Sequence, residues 1–147
     1  MHEPFMQKAL SLARFAQEHG EVPVGAVVVL EGEVIGRGAN GSITENDPSA
    51  HAEITAIREA AKAIANYRLE RATLYSTIEP CVMCAGAIVT ARISRLVFGA
   101  RDIRFGGVRS KFRIADSDLL NHRVEIVEGV LAFECAQLLR DFFEQRR

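Results

Sequence analysis

Two short segments carry side chains able to hold a metal ion and move a proton: His51-Ala52-Glu53 and Pro80-Cys81-Val82-Met83-Cys84. Cys81 and Cys84 stand three apart, so on a helix their sulfurs share one face within reach of a single ion. Pro80 fits a helix entrance, where its missing N–H costs nothing, and the positive end of that helix favours the thiolate a metal requires. His51 and Glu53 stand two apart and would diverge by about 200° inside a helix. At a helix N-terminus both can reach a ligand lying beyond the axis. Together His51, Cys81 and Cys84 form a nitrogen and sulfur set that suits zinc better than magnesium or calcium, with Glu53 beside it.

The number of ligands decides the role. Three protein ligands leave a coordination position for water and make a catalytic centre, whereas four close a structural clamp. Cys135, His2, His19 and His122 are the candidates for a fourth ligand, and none adjoins either segment. A closed clamp would leave Glu53 without a purpose. The other bland alternative is two core cysteines and a helix-capping histidine, and Cys135 itself reads as a small buried hydrophobe on the last helix.

These residues must be positioned by elements legible in the hydrophobic pattern. Phe5, Ala9, Leu12, Ala13 and Ala16 form one stripe, which predicts a helix over about residues 3–18 that ends at His19-Gly20. Two β-branched runs, 24–30 and 33–39, joined by Glu31-Gly32, predict a hairpin. Residues 40–49 are turn-rich. A second helix starts near His51, with Ile54, Ile57, Ala61 and Ile64 at helical spacing. There follow a strand over 73–77, a helix from about Cys81, a strand over 96–100, an irregular segment and a final helix over about 131–146. Strands alternating with helices after a hairpin predict one α/β layered domain, residues 1–147, with a mixed sheet.

Composition limits the class of protein. With 147 residues, 48% hydrophobic and 25% charged, the chain can bury a sizeable core and is not a disordered tail. The start of the sequence lacks the layout of a signal peptide, and no apolar run reaches the roughly 18 residues of a membrane span, so a cytoplasmic protein with no membrane partner is expected. Three cysteines in a reducing compartment do not suggest a disulfide scaffold. A formal charge of -1 argues against holding nucleic acid by bulk charge. The distribution is uneven, however: Arg92, Arg95, Arg101, Arg104, Arg109, Lys111 and Arg113 are opposed within their segment only by Asp102. Such a stretch is either a solvated surface or a phosphate-binding patch, which Arg146-Arg147 would extend.

His-x-Glu followed by Pro-Cys-x-x-Cys is the signature of zinc-dependent nucleobase deaminases. The longer runs Glu21-Val22-Pro23-Val24-Gly25-Ala26, Asp47-Pro48-Ser49-Ala50-His51-Ala52-Glu53 and Tyr75-Ser76-Thr77-Ile78-Glu79-Pro80-Cys81 resemble the bacterial tRNA-specific adenosine deaminases, within the cytidine deaminase-like superfamily. Asn40, Gly99-Ala100-Arg101-Asp102, Asn121-His122-Arg123 and Asp141-Phe142-Phe143 extend the likeness nearly end to end. The resemblance implies a three-layer α/β/α domain with a central mixed five-stranded sheet. It implies hydrolytic conversion of adenosine to inosine at the wobble position of a tRNA anticodon stem-loop, by a homodimer with one zinc ion per subunit. His51, Cys81 and Cys84 would be the zinc ligands, and Glu53 the general base and then general acid.

Carried over position by position, Asn40 contacts the target nucleoside, Val24 and Ile78 line the adenine pocket, and Asp102 approaches the substrate and its neighbours. Arg104 and Asn121 would meet the RNA, and Phe105, Phe142 or Phe143 would offer a stacking platform. Glu79 reads as support for the Cys81 turn. Many members continue after this aspartate with Pro-Lys, whereas here the text is Ile103-Arg104-Phe105-Gly106-Gly107, so the 103–120 segment departs from the common pattern. Two other readings stand beside this one. A deaminase of a free base or nucleoside, such as guanine or cytosine, would share the zinc centre, and a non-catalytic zinc-stabilised RNA-binding module would need four protein ligands.

Overall fold

The computed structural model describes residues 1–146; Arg147, the last residue of the basic C-terminus, lies outside the described residues. Helix α1 (Glu3–Glu18) begins with Pro4 in its first turn and Glu3 at its positive end. It buries Met6, Ala9, Leu10, Ala13 and Ala16. The stripe is thus rotated slightly from the expected one, with Phe5 and Leu12 at its half-buried edges. Strands β1 (Gly25–Leu30) and β2 (Glu33–Ala39) form the hairpin. Its two turn residues, Glu31 (φ 51°) and Gly32 (φ 81°), are both left-handed, the geometry that matches the twist of paired strands.

The remaining elements are α2 (Ala52–Ala63), β3 (Thr73–Ile78), α3 (Val82–Thr90), β4 (Arg95–Ala100), β5 (Glu125–Glu128) and α4 (Ala132–Glu144). The sheet order is β2-β1-β3-β4-β5. β1 pairs antiparallel with both β2 and β3, while β3–β4 and β4–β5 are parallel. The fifth strand, part of the layering implied by the resemblance, falls in the stretch whose hydrophobic pattern reads as irregular. It is four residues long, sits at the sheet edge and is only half buried, so alternation has little length in which to show.

Successive strand residues feed opposite cores. Ala26, Val28, Leu74, Leu96 and Phe98 face one layer with Ala56 and Ala60 of α2 and Ile88 of α3. Val27, Val29, Tyr75 and Val97 face the other, with Met6 and Leu10 of α1 and Cys135 of α4. The result is a three-layer α/β/α domain with a mixed five-stranded sheet. No described helix is long and apolar enough to cross a membrane.

Close approach of α2 to the sheet depends on two glycines of β2. A Cβ at Gly36 would meet the backbone of Ala56 and Ala60, and one at Gly38 the backbone of Ala52 and Ala56. These small residues let the first turn of α2 lie directly on the sheet.

Candidate active site

His51 and Cys81 are the N-cap residues of α2 and α3, both extended in backbone (φ -83°, ψ 152° and φ -73°, ψ 179°). Cys84 is buried in the first turn of α3. Two helix N-termini therefore converge on one point. Nδ1 of His51 lies 3.5 Å from each sulfur, and the three donor atoms lie within 4.8 Å of one another.

The electrostatics of this cluster fit a cation. A hydrogen bond with the Cys84 thiol draws the Cys81 thiol down to about 4 against the opposing effect of burial, and His51 reinforces it. The same contact, together with burial and the nearby Glu53, pushes Cys84 upward. His51 is held protonated above its ordinary range chiefly by its bond to Cys81, against burial. Two thiolates this close repel each other, and a positive charge between the donors relieves that repulsion. A dication that takes sulfur and nitrogen at tetrahedral angles supplies it, and zinc is the common one.

No fourth histidine, cysteine or carboxylate joins the group among the described residues. His2 bonds the Tyr75 hydroxyl, His19 the Phe15 carbonyl and His122 the Ile93 carbonyl. Cys135 is buried in the core on the opposite side of the sheet. The geometry is that of a three-ligand site.

Beside the ligands lies a cavity of about 630 Å³, lined by Val24, Asn40, His51, Glu53, Ile78 and Cys81 and, toward its open side, by Asp102, Ile103, Arg104, Phe105, Arg140 and Phe143. Glu53, in the first turn of α2, is 3% exposed. Burial pushes its carboxyl up to about 7, with the charge on Cys81 adding to the shift. A carboxyl poised there can accept and return a proton near neutral pH.

The Asn40 side-chain oxygen accepts the N–H of Ala52 at 2.8 Å. It thereby caps α2 in place of His51, whose imidazole makes no cap bond and turns to the cysteines instead. Asn40 also lines the cavity.

The family model for MafB19-like deaminases matches residues 1–147. A tRNA-specific adenosine deaminase of Haemophilus influenzae is 53% identical, over 99% of this chain and 84% of that protein. The chain belongs to the tRNA-specific adenosine deaminase family. A structure solved in a study of A-to-I editing by tRNA:A34 deaminases at the wobble position of transfer RNA superimposes with a TM-score of 0.89 at 47% identity, covering 92% of this chain and 98% of that one. The fold is shared more widely: a guanine deaminase of Nitrosomonas europaea matches with a TM-score of 0.84 at 26% identity, over 97% of this chain and 84% of that one.

Other residues singled out in the sequence fare unequally in the deaminase. Val24 is buried and Ile78 half buried in the cavity wall. Asp102 reaches the cavity, but its carboxylate accepts the N–H groups of Arg104 and Phe105 and so shapes its own turn. Arg104 lies over the Phe105 ring, 5.3 Å from its centroid. Two others lie away from the cavity lining. Asn121 is not among the cavity residues, and its carbonyl accepts a bond from Arg92. Phe142 is 4% exposed beneath the Arg146 guanidinium, whereas its neighbour Phe143 lines the cavity.

The basic segment of the deaminase is also less charged in space than along the chain. Arg101 pairs with Glu128, Arg95 with Glu125 and Arg109 with Asp116. Among the described residues this leaves Arg92, Arg104, Lys111 and Arg113 of the segment without an acidic partner. Leu139 and Arg140 of α4 join the cavity unanticipated; only the helical phase of α4, unknown until it is docked, could have indicated them.

Proposed function

We propose that this chain converts adenosine to inosine at the wobble position of a tRNA anticodon, with water consumed and ammonia released. The observation that carries this reading is the three-donor cluster with a separate, buried Glu53 in the same cavity. His51, Cys81 and Cys84 would hold one zinc ion per subunit. When bound, it supplies the Lewis acidity that makes a water nucleophilic near neutral pH.

The chain's own residues handle the rest. Glu53 takes the proton from the attacking water and delivers it to N1 of the adenine ring, then takes the remaining proton of the hydroxyl added at C6 and passes it to the amine, which departs as ammonia. Its upward shift to about 7 keeps both protonation states accessible. The Asn40 amide donates to the flipped nucleoside, and Val24 and Ile78 flank the ring with apolar surface that excludes water. Arg104, Phe105 and Phe143, on the open side, offer cationic and aromatic surface to the neighbouring nucleotides.

A homodimer accords with α3, whose residues 82–90 carry no charge and leave Val82 and Met83 exposed by 47% and 39%. A Cβ added at Gly86 on this helix would meet no atom outside the helix backbone within 4 Å. A second copy covering that face would adjoin both zinc-binding cysteines. A tRNA substrate also accords with a cytoplasmic location.

The guanine deaminase likeness gives the competing reading its one specific support. Incubating the zinc-loaded protein with an anticodon stem-loop, free adenosine, cytidine and guanine separates the two. Inosine in the stem-loop alone is the expected result, and turnover of a free base alone would overturn the proposal.

A further inference from the structure

Glu79 lies between β3 and the Pro80-Cys81 turn and is 1% exposed. A buried carboxylate ordinarily needs a cation, yet none of the ion pairs among the described residues includes Glu79. Its charge is met by one loop. Oε1 accepts the Asp102 N–H at 3.0 Å and the Ser110 hydroxyl at 2.5 Å. Oε2 accepts the N–H groups of Val108 at 3.1 Å, Arg109 at 2.6 Å and Ser110 at 2.9 Å.

The anchored loop bears the open-side wall of the cavity. Asp102, Ile103, Arg104 and Phe105 sit between the two groups of anchors, at Asp102 and at residues 108–110. The same loop touches the ligand turn directly, since Gly107 N–H donates to the Pro80 carbonyl at 2.8 Å and Gly106 bridges to Cys81. Gly106 is there because a Cβ would fall on the Glu79 carboxyl.

We propose that Glu79 is a positioning residue for substrate binding: its carboxylate closes the 102–110 loop onto the Pro80-Cys81 turn and so fixes the wall that receives nucleotides beside the target adenosine. The wall is made of backbone that has no sheet partner of its own beyond the single bridge at Gly106. Only an acceptor with two oxygens can satisfy donors arriving from both ends of the loop. An amide cannot, because its N–H2 must then face either the Asp102 end or the 108–110 end, repelling an N–H and freeing that end. The loop meets the donor cluster at Cys81, through the Gly106 bridge, whereas His51 and Glu53 belong to the start of α2 and Cys84 to α3, so the larger effect falls on substrate binding rather than on turnover.

This inference rests on deamination of an anticodon stem-loop as the reaction. Zinc-loaded full-length protein and its Glu79→Gln variant are compared for zinc content, thermal midpoint, stem-loop affinity by fluorescence anisotropy, and KM and kcat for inosine formation. Gly106→Ala disturbs the same contact from the loop side and, with Ser110→Ala, carries the test if Glu79→Gln does not fold. The expected result is about one zinc per chain, Kd and KM raised about tenfold or more, and kcat within about threefold of the parent. Variants with a lowered thermal midpoint but unchanged Kd and KM would reduce Glu79 to a stabilising residue and overturn the proposal. Zinc loss with unchanged stem-loop affinity would overturn it too, assigning Glu79 to the cysteine turn alone. Failure of the parent protein to deaminate the stem-loop would instead refute the proposed reaction.

Discussion

Gly38→Ala perturbs the active site without touching it. Gly38 lies in β2 beneath the first turn of α2, and an added Cβ would sit 2.8 Å from the Ala56 nitrogen and 3.0 Å from the Ala52 carbonyl carbon, where ordinary contact begins at 3.4 Å. Against the Ala52 carbonyl oxygen the overlap is worse. All three atoms are backbone, so no side chain can rotate aside, and the helix end must retreat by about 1 Å. The overpacking should cost about 1–3 kcal/mol. Stretching the bond from Ala52 N–H to the Asn40 cap adds about 1 kcal/mol. Because His51 and Glu53 flank Ala52, the same displacement moves the proposed zinc ligand and the proposed proton carrier off their positions, and a misplacement of this size costs about 100-fold in kcat. Urea unfolding and inosine formation on zinc-loaded protein read the two effects. Gly36→Ala meets the Ala56 and Ala60 backbone further along the helix, so it should destabilise comparably while reducing kcat much less. Parent-like stability and turnover for Gly38→Ala, or equal loss of kcat in both variants, would refute the claim that this contact sets the position of the first turn.

Arg104→Ala should weaken tRNA binding and reduce the salt dependence of log affinity by about one unit of slope, measured by anisotropy at several salt concentrations. Arg109→Ala should leave that slope nearly unchanged and lower stability by about 1–3 kcal/mol, because its guanidinium already makes two bonds to Asp116. Val82→Asp with Met83→Lys should convert a sedimenting dimer to a monomer if α3 is the shared face. Acid should destabilise the fold through Glu21, Glu79 and Asp116, whose carboxyls are all held below their ordinary range. For Glu21 and Glu79 burial opposes the shift but is outweighed, by bonds from Thr44 and Ile43 and by bonds from Ser110, Arg109 and Asp102 respectively; for Asp116 the Arg109 bond leads. Their stabilisation is complete above the unfolded values near 4 and lost as pH falls through the lower folded ones. Unfolding free energy should therefore fall steeply below about pH 4.5, and less so in Glu21→Gln.

The elements with strong local signals were legible from the amino acids. The stripe from Phe5 to Ala16 marks α1, Glu31-Gly32 marks the hairpin, and Pro80 with the cysteine spacing marks the helix whose N-cap is Cys81. What the pattern could not show was whatever depends on distant partners. Arg101 and Arg95 look like free positive charge until β5 brings Glu128 and Glu125 alongside, and β5 is itself too short and too polar to announce a strand. Phe142 and Phe143 are adjacent, so about 100° of helical rotation separates core from cavity, and the docking of α4 decides which is which. Glu79 gave no signal of its burial, because the five donors that meet its charge come from a loop more than twenty residues away. Asn40 before Gly41 reads as a turn residue, and its capping of α2 appears only when strand and helix are brought together.

The most direct test of the catalytic centre measures zinc content and inosine formation on one preparation of Glu53→Ala. Glu53 is adjacent to the ligand cluster but not a member of it, so the variant should keep about one zinc per chain while turnover of an anticodon stem-loop falls by about 100-fold to 10,000-fold. Unchanged turnover would contradict its role as proton carrier, and loss of the metal with Glu53 would make the carboxylate a ligand and the three-donor site wrong.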